Sequence, residues 1–65
     1  MRGVVTGFDG PRGLGTITAE DGTDLPFHCT ALLDGTREVD EGAAVTFEVR
    51  PAGMGRWEAT GIQKV

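Results

Sequence analysis

The stretch from residue 13 to residue 28, GLGTITAEDGTDLPFH, alternates in side-chain character on both sides of an Asp-Gly pair. Alternation with a period of two is typical of β-strands, because successive side chains point to opposite faces of the sheet. Asp21-Gly22 is a turn signal, so the stretch is predicted to form a β-hairpin. Its apolar face is expected to be buried and consists of Ile17, Leu25 and Phe27. Its outward face consists of Leu14, Thr16, Thr18, Pro26 and His28.

Similar short runs extend the β prediction to the rest of the chain. Val45, Phe47 and Val49 alternate with polar residues and form the clearest half-buried strand. Pro51 is expected to end this strand because proline has no N–H to donate. The sequence therefore predicts an all-β antiparallel fold with strands near residues 3–9, 14–19, 25–29, 44–51 and 56–64.

The connections between these strands have their own signals. Thr30 can cap a short helical turn over residues 30–33, and Leu32 is expected to pack against one end of the fold. Residues 34–42 are polar and acidic, so they are predicted to form a surface loop anchored by Val39.

Size and composition limit what the protein can be. With 65 residues, of which 38% are hydrophobic, the chain is predicted to form one small domain, residues 1–65. The single Cys29 cannot form an intramolecular disulfide, and no charged-then-apolar leader opens the chain, so we expect a cytoplasmic location. No apolar run approaches the roughly 20 residues of a membrane span. The net charge of −4 disfavours phosphate binding in general, although a local basic patch remains compatible with it.

The sequence offers little for catalysis. His28 is the only histidine, and one histidine cannot by itself build a metal site or a catalytic triad. The run Gly13-Leu14-Gly15 is a fragment of a dinucleotide-binding fingerprint, but no helix is predicted after it. We therefore expect no enzyme activity, no catalytic residues, no cofactor and no metal.

Four segments, taken in order, resemble the bacterial cold-shock domain across nearly the whole chain. The matching residues are Gly3, Val5 and Phe8; Arg12, Gly13, Gly15 and Ile17; Asp21, Gly22, Asp24, Phe27, His28, Ala31 and Leu32; and Glu41, Gly42, Val45, Phe47 and Val49. Each segment alone is a weak signal, and the resemblance depends on their order and spacing. It implies a five-stranded antiparallel OB-fold barrel whose second and third strands contain two short RNA-binding motifs. Ala59 and Ile62 match inward positions of the family, and their odd spacing predicts either a bulge or an end to regular alternation, an irregularity that Gly61 could provide.

The expected ligand face departs from the family pattern. The first motif of the family, K-G-F-G-F-I, is R-G-L-G-T-I here, and the second, V-F-V-H-F, is L-P-F-H-C. Phe27 has moved to an inward position, and only His28 keeps the outward identity of the second motif. The aromatic residues of the family are replaced at Gly7, Leu14, Thr16, Pro26 and Thr36.

The resemblance implies a protein that binds single-stranded RNA or DNA and acts as an RNA chaperone or a transcriptional regulator. Arg12 and Arg56 are the predicted phosphate contacts, and His28 and Trp57 are the predicted base contacts. Leu14 and Thr16 offer an outward methyl and hydroxyl surface without a ring. Stacking on an aromatic side chain contributes about 1–3 kcal/mol per base, so binding is expected to be weaker than in aromatic-rich relatives.

Three alternatives stay open at this point. Phe8 fits either the core or the binding surface. Trp57 fits either a stacking ring that compensates for the missing tryptophan of the first strand or a packed ring that seals one end of the barrel. The missing aromatics and the negative charge also suit an OB barrel that has lost its nucleic-acid face and binds a protein partner through its loops or a sheet edge.

Overall fold

The computed structural model describes residues 1–35 and 38–65, and these form five strands and one short 3-10 turn. The elements in chain order are β1 (Arg2–Asp9), β2 (Leu14–Ala19), β3 (Asp24–His28), the 3-10 turn (Cys29–Ala31), β4 (Ala44–Gly53) and β5 (Arg56–Lys64). The strands lie in the order β3-β2-β1-β4-β5, and each neighbouring pair is antiparallel. The predicted all-β antiparallel fold of five strands is therefore confirmed.

The sheet curls until its two outer strands meet. Residues of β3 contact residues of β5, and Leu32, just after the 3-10 turn, forms a parallel bridge with Ile62 on β5. The curl gives the sheet one enclosed face, which surrounds the core, and one outer face. The core consists of Val5, Ile17, Ala19, Leu25, Phe27, Leu32, Val39, Val45, Phe47, Ala59 and Ile62.

The hairpin of β2 and β3 has the register that its alternation predicts. Ile17 lies opposite Leu25 on the buried face, and Phe27 on the same face is 2% exposed. The outward pairs are Leu14 with His28 and Thr16 with Pro26. Leu32 and Val39, the expected anchors of the two connections, are also buried.

The β4 strand is longer than predicted. Pro51 does not end it, because β4 continues to Gly53 and Pro51 lies opposite Trp57 on β5. The reason is that β4 pairs with β1 only through Ala44–Thr46, so its far end has one strand neighbour. A residue without an N–H is tolerated where one edge of a strand is unpaired.

The β5 strand contains the predicted bulge. Glu48 on β4 lies opposite Thr60, whereas Thr46 lies opposite Gln63, so β5 has one extra residue between these pairs. Gly61 lies in this interval with a φ of +58°, in the left-handed region that glycine adopts without strain. The bulge allows both Ala59 and Ile62 to point into the core.

Candidate nucleic-acid interface

An open and mainly apolar depression lies on the outer face of β1, β2 and β3. Gly7 on β1 is opposite Thr16 on β2, and Thr16 is opposite Pro26 on β3, so the three residues form one row across the sheet. A Cβ atom added at Gly7 would have no atom within 4 Å, so this end of the row is open space. None of these three residues has an aromatic ring, and the depression lies over them. Its lining residues are Gly7, Phe8, Asp9, Leu14, Gly15, Thr16, Pro26 and Phe27.

Phe8 belongs to both the core and the depression. A β-bulge between Val5 and Gly7 shifts the alternation of β1 by one residue, which places Phe8 opposite Gly15 on the inward side. Its ring is stacked on Phe27, with centroids 6.1 Å apart and planes 10° from parallel. Phe8 is only partly buried and lines the depression, so the two expected roles of this residue are compatible.

His28 is held in place by the backbone that follows it. The Thr30 N–H donates to His28 Nδ1 at 3.2 Å, and Thr30 Oγ1 lies 2.9 Å from the same nitrogen. His28 is therefore the cap of the 3-10 turn, and the prediction that Thr30 caps it is wrong. The turn begins at Cys29, one residue earlier than predicted. Because Nδ1 accepts the Thr30 N–H, the proton of the neutral imidazole is on Nε2. The exposed ring thus offers a face and one N–H donor.

Arg12 lies at the rim of the depression. Its Nε is 3.7 Å from Asp9 Oδ2, and its backbone N–H donates to Asp9 Oδ1 at 3.4 Å. Asp9 itself lines the depression and is opposite Leu14. An exposed ion pair of this kind contributes about 0–1 kcal/mol, so the guanidinium can exchange Asp9 for another anion at little cost.

Arg56 and Trp57 lie apart from the other predicted site residues. Trp57 is 56% exposed and lines an apolar groove with Met1, Leu25 and Val49, none of which lines the depression. Leu25 is three residues before His28 on β3, a separation of roughly 10 Å along the strand. The structure therefore brings together Phe8, Arg12, Leu14, Thr16 and His28, and leaves Arg56 and Trp57 at the other end of β3. The exposure of Trp57 is that of a ring on the surface and differs from that of a fully packed ring.

A row of polar groups runs beside the depression; the outward position of Thr18 was predicted, but its contacts with Thr6 and Asp24 were not. The Thr18 hydroxyl donates to Asp24 Oδ1 at 2.6 Å, and Thr6 Oγ1 lies 3.1 Å from Thr18 Oγ1. The three residues come from β2, β3 and β1 in that order, and all have outward side chains. Alternation places Thr18 and Asp24 opposite each other, so the hairpin pattern contained the signal for this pair.

A second missed feature is a polar recess on the other side of His28. Its lining includes Arg50 from β4 and Glu58 and Thr60 from β5, together with His28 and Thr30. The Arg50 Nε donates to Glu58 Oε1, and the two residues are opposite each other in the β4–β5 ladder. Arg50 continues the outward positions of β4, but its proximity to His28 depends on the meeting of β3 and β5, which no local pattern predicts.

The chemistry of the remaining groups is limited. Within residues 1–35 and 38–65 no cluster of His, Cys, Asp and Glu has the arrangement of a metal site. In the same residues no helix has the length and apolar character needed to cross a membrane. Cys29 is partly buried, and its Sγ would be 2.8 Å from a Cβ added at Gly13, so it fills space beneath that glycine. Thr36, the expected match to a loop aromatic of the family, lies outside the described residues.

Comparison with known proteins agrees with this architecture. The family described as 'Cold-shock' DNA-binding domain matches residues 1–65. Cold shock protein 2 of Lactiplantibacillus plantarum is 40% identical over 62 residues, which are 94% of this chain and 92% of that protein. Cold shock protein CspC of Bacillus subtilis is 36% identical over 64 residues, which are 97% of this chain and 96% of that protein.

A solved structure, drosophila Unr CSD456, has the same fold with a TM-score of 0.76 at 27% identity, and the match covers 98% of this chain and 26% of that longer chain. The resemblance seen in the sequence motifs is thereby confirmed, and the barrel-like sheet is an OB fold. The chain belongs to the cold-shock domain family.

Proposed function

We propose that this protein binds single-stranded RNA or DNA on the outer face of β1, β2 and β3. The observation that supports the proposal is the apolar depression, with Arg12 at its rim and His28 beside Leu14. A nucleobase in the depression would contact the side chains of Leu14, Thr16 and Pro26 and the exposed part of Phe8. Arg12 would contact a phosphate, and His28 would offer its ring face to a base.

The chemistry of this face implies weak binding with little base selectivity. Stacking on a protein ring contributes about 1–3 kcal/mol per base, and the row formed by Gly7, Thr16 and Pro26 provides no ring for it. The net charge of −4 also reduces the electrostatic contribution, which depends on cations that displace counterions from the phosphates.

Within this proposal the cellular role is that of an RNA chaperone or a transcriptional regulator in the cytoplasm. A protein that prevents base pairing must bind many nucleic-acid sequences and release them quickly. A binding face with few aromatic rings and with exposed polar neighbours suits such short-lived complexes. No catalytic step is part of the proposal. Arg56 and Trp57 would be a second contact region, reached by a strand that continues along β3.

A titration of short oligonucleotides tests the proposal. Oligouridylate and oligothymidylate of about 4–16 nucleotides match the site sizes of OB folds and should bind at low salt and weaken as salt increases. A duplex of the same length is the control and should bind less well, because its bases are not accessible. His28→Ala should weaken binding to the single strand. Failure of both oligonucleotides to bind at low salt would reject this function.

A second candidate function is the binding of a protein partner, and a specific observation favours it. The β4–β5 hairpin has a fully exposed Met54 at its tip, and the half-exposed Trp57 borders an apolar groove with Leu25 and Val49. This surface is separate from the depression. If single strands do not bind, this groove is the surface to test by substitution of Trp57 and Met54.

A further inference from the structure

We infer that the polar recess beside His28, bordered by Arg50, Glu58 and Thr60, is a phosphate subsite for a single strand whose bases occupy the depression. The inference rests on the function proposed above and extends it to β4 and β5. It identifies Arg50, which lies outside both sequence motifs, as a phosphate-binding residue.

The recess adjoins the depression. Leu14 lines the depression and lies directly opposite His28, and His28 lines the recess. The two surfaces are therefore adjacent, with the imidazole between them. A strand that leaves the depression beside His28 therefore comes next to the recess, which the 3-10 turn, β4 and β5 also border.

The ion pair of Arg50 and Glu58 turns the guanidinium toward solvent. The Arg50 side chain is 63% exposed, whereas that of its partner Glu58 is 28% exposed, so the guanidinium is the outer member of the pair. Glu58 engages Nε, and within the described part of the chain the two Nη atoms of Arg50 make no further hydrogen bond or ion pair. A guanidinium with two outward N–H groups can bind a phosphate in a bidentate manner.

Hydrogen-bond donors outnumber free acceptors around Arg50. His28 has its proton on Nε2, because Nδ1 accepts the Thr30 N–H, and the Thr60 hydroxyl is a further donor. Glu58 is the one carboxylate in the lining, and it is already bonded to Arg50. A recess with several donors and one engaged acceptor suits an anionic oxygen ligand better than a base edge or a cation.

The test is a binding titration of oligouridylate at several salt concentrations, with the wild-type protein and three variants. Arg50→Gln should weaken binding roughly tenfold and reduce the slope of log K against log salt by about 0.7, the value for one lost phosphate contact on a single strand. Glu58→Gln should strengthen binding, because it removes the carboxylate that competes with phosphate for Arg50. An ion pair at the protein surface adds little to stability, so both variants should fold, which circular dichroism checks.

Arg2→Gln is the matched control, since it makes the same change of charge. Arg2 is five residues from Gly7, the first residue of β1 that lines the depression, a separation of roughly 17 Å along the strand, so its loss should leave the affinity near the wild-type value. Wild-type affinity and salt slope in Arg50→Gln would overturn the inference, as would equal losses in the two arginine variants or weaker binding in Glu58→Gln. These outcomes require that the wild-type protein binds. If the wild-type protein does not bind, the proposed function fails, and the subsite fails with it.

Discussion

The ring of Phe27 occupies the space directly inside Gly15. A Cβ atom added at Gly15 would stand 2.4 Å from Phe27 Cζ and 2.8 Å from the backbone oxygen of Gly7. Neither contact is possible in a folded protein, and the second involves backbone that cannot move independently. Gly15, the second glycine of the first motif, is thus required by Phe27. The Phe27 ring stacks on Phe8 beneath the depression.

Gly15→Ala should therefore destabilise the protein, typically by about 1–3 kcal/mol and more if the backbone of β1 cannot shift. The control is Gly7→Ala, because a methyl group added at Gly7 on the outer face meets no atom within 4 Å. Urea unfolding of the two variants measures the difference. Equal stability of Gly15→Ala and Gly7→Ala would show that Phe27 can move away from Gly15 at no cost.

The local parts of this fold and site could be predicted from the sequence. Alternation assigns Leu14 and Thr16 to the outer face and Phe27 to the core, because the period of a strand is two wherever the strand lies. These are properties of one strand or one hairpin, so they need no knowledge of the rest of the chain.

The parts that were missed depend on contacts between distant segments. Pro51 is tolerated in β4 because β1 does not extend that far, and Arg50 approaches His28 because the curl of the sheet brings β5 beside β3. The cap formed by His28 depends on the direction in which the chain leaves β3. None of these relationships is contained in the spacing of nearby residues.

A pH effect is expected at the turn between β2 and β3. The Thr23 N–H donates to Asp21 Oδ1 at 2.9 Å, and this bond, together with one from the Thr23 side chain, holds the pKa of Asp21 below its ordinary value of 3.8. The folded protein thus favours the carboxylate form. The stabilisation is complete above pH 3.8 and is lost as the pH falls through the lower pKa of the folded state.

Asp21→Asn should remove this component of the pH dependence, because the amide oxygen still accepts the Thr23 N–H but does not titrate. The measurement is the free energy of unfolding at neutral pH and at several values below pH 3.8. Thr23→Ala, which keeps the N–H donor and loses the hydroxyl, should give an intermediate result. An identical acid profile in the wild-type protein and Asp21→Asn would show that the turn does not couple to folding.

Adding a ring to the depression should strengthen binding of a single strand. Thr16 lies between Gly7 and Pro26 in the open row, so Thr16→Phe places an aromatic face where none exists. One stacked base contributes about 1–3 kcal/mol, and about 1.4 kcal/mol is a tenfold change in affinity. Leu33→Phe, which adds a ring on an exposed loop away from the depression, is the control. Unchanged affinity in a folded Thr16→Phe variant would show that the outer face is not the ligand platform.

Trp57 reports whether a bound strand extends along β3 to the far end of the barrel. The indole is 56% exposed, so in the free protein it should emit near its solvated wavelength and be accessible to aqueous quenchers. A strand that runs from His28 along β3 covers roughly 10 Å before it reaches Leu25, which lines the same groove as Trp57. If the strand takes this path and stacks on the indole, an unstructured oligonucleotide should quench the fluorescence strongly, and salt should reverse the effect. Trp57→Ala should then lose much of the binding at little cost in stability, since the ring is only partly packed. Fluorescence that does not change at oligonucleotide concentrations that bind by calorimetry would exclude Trp57 from the path.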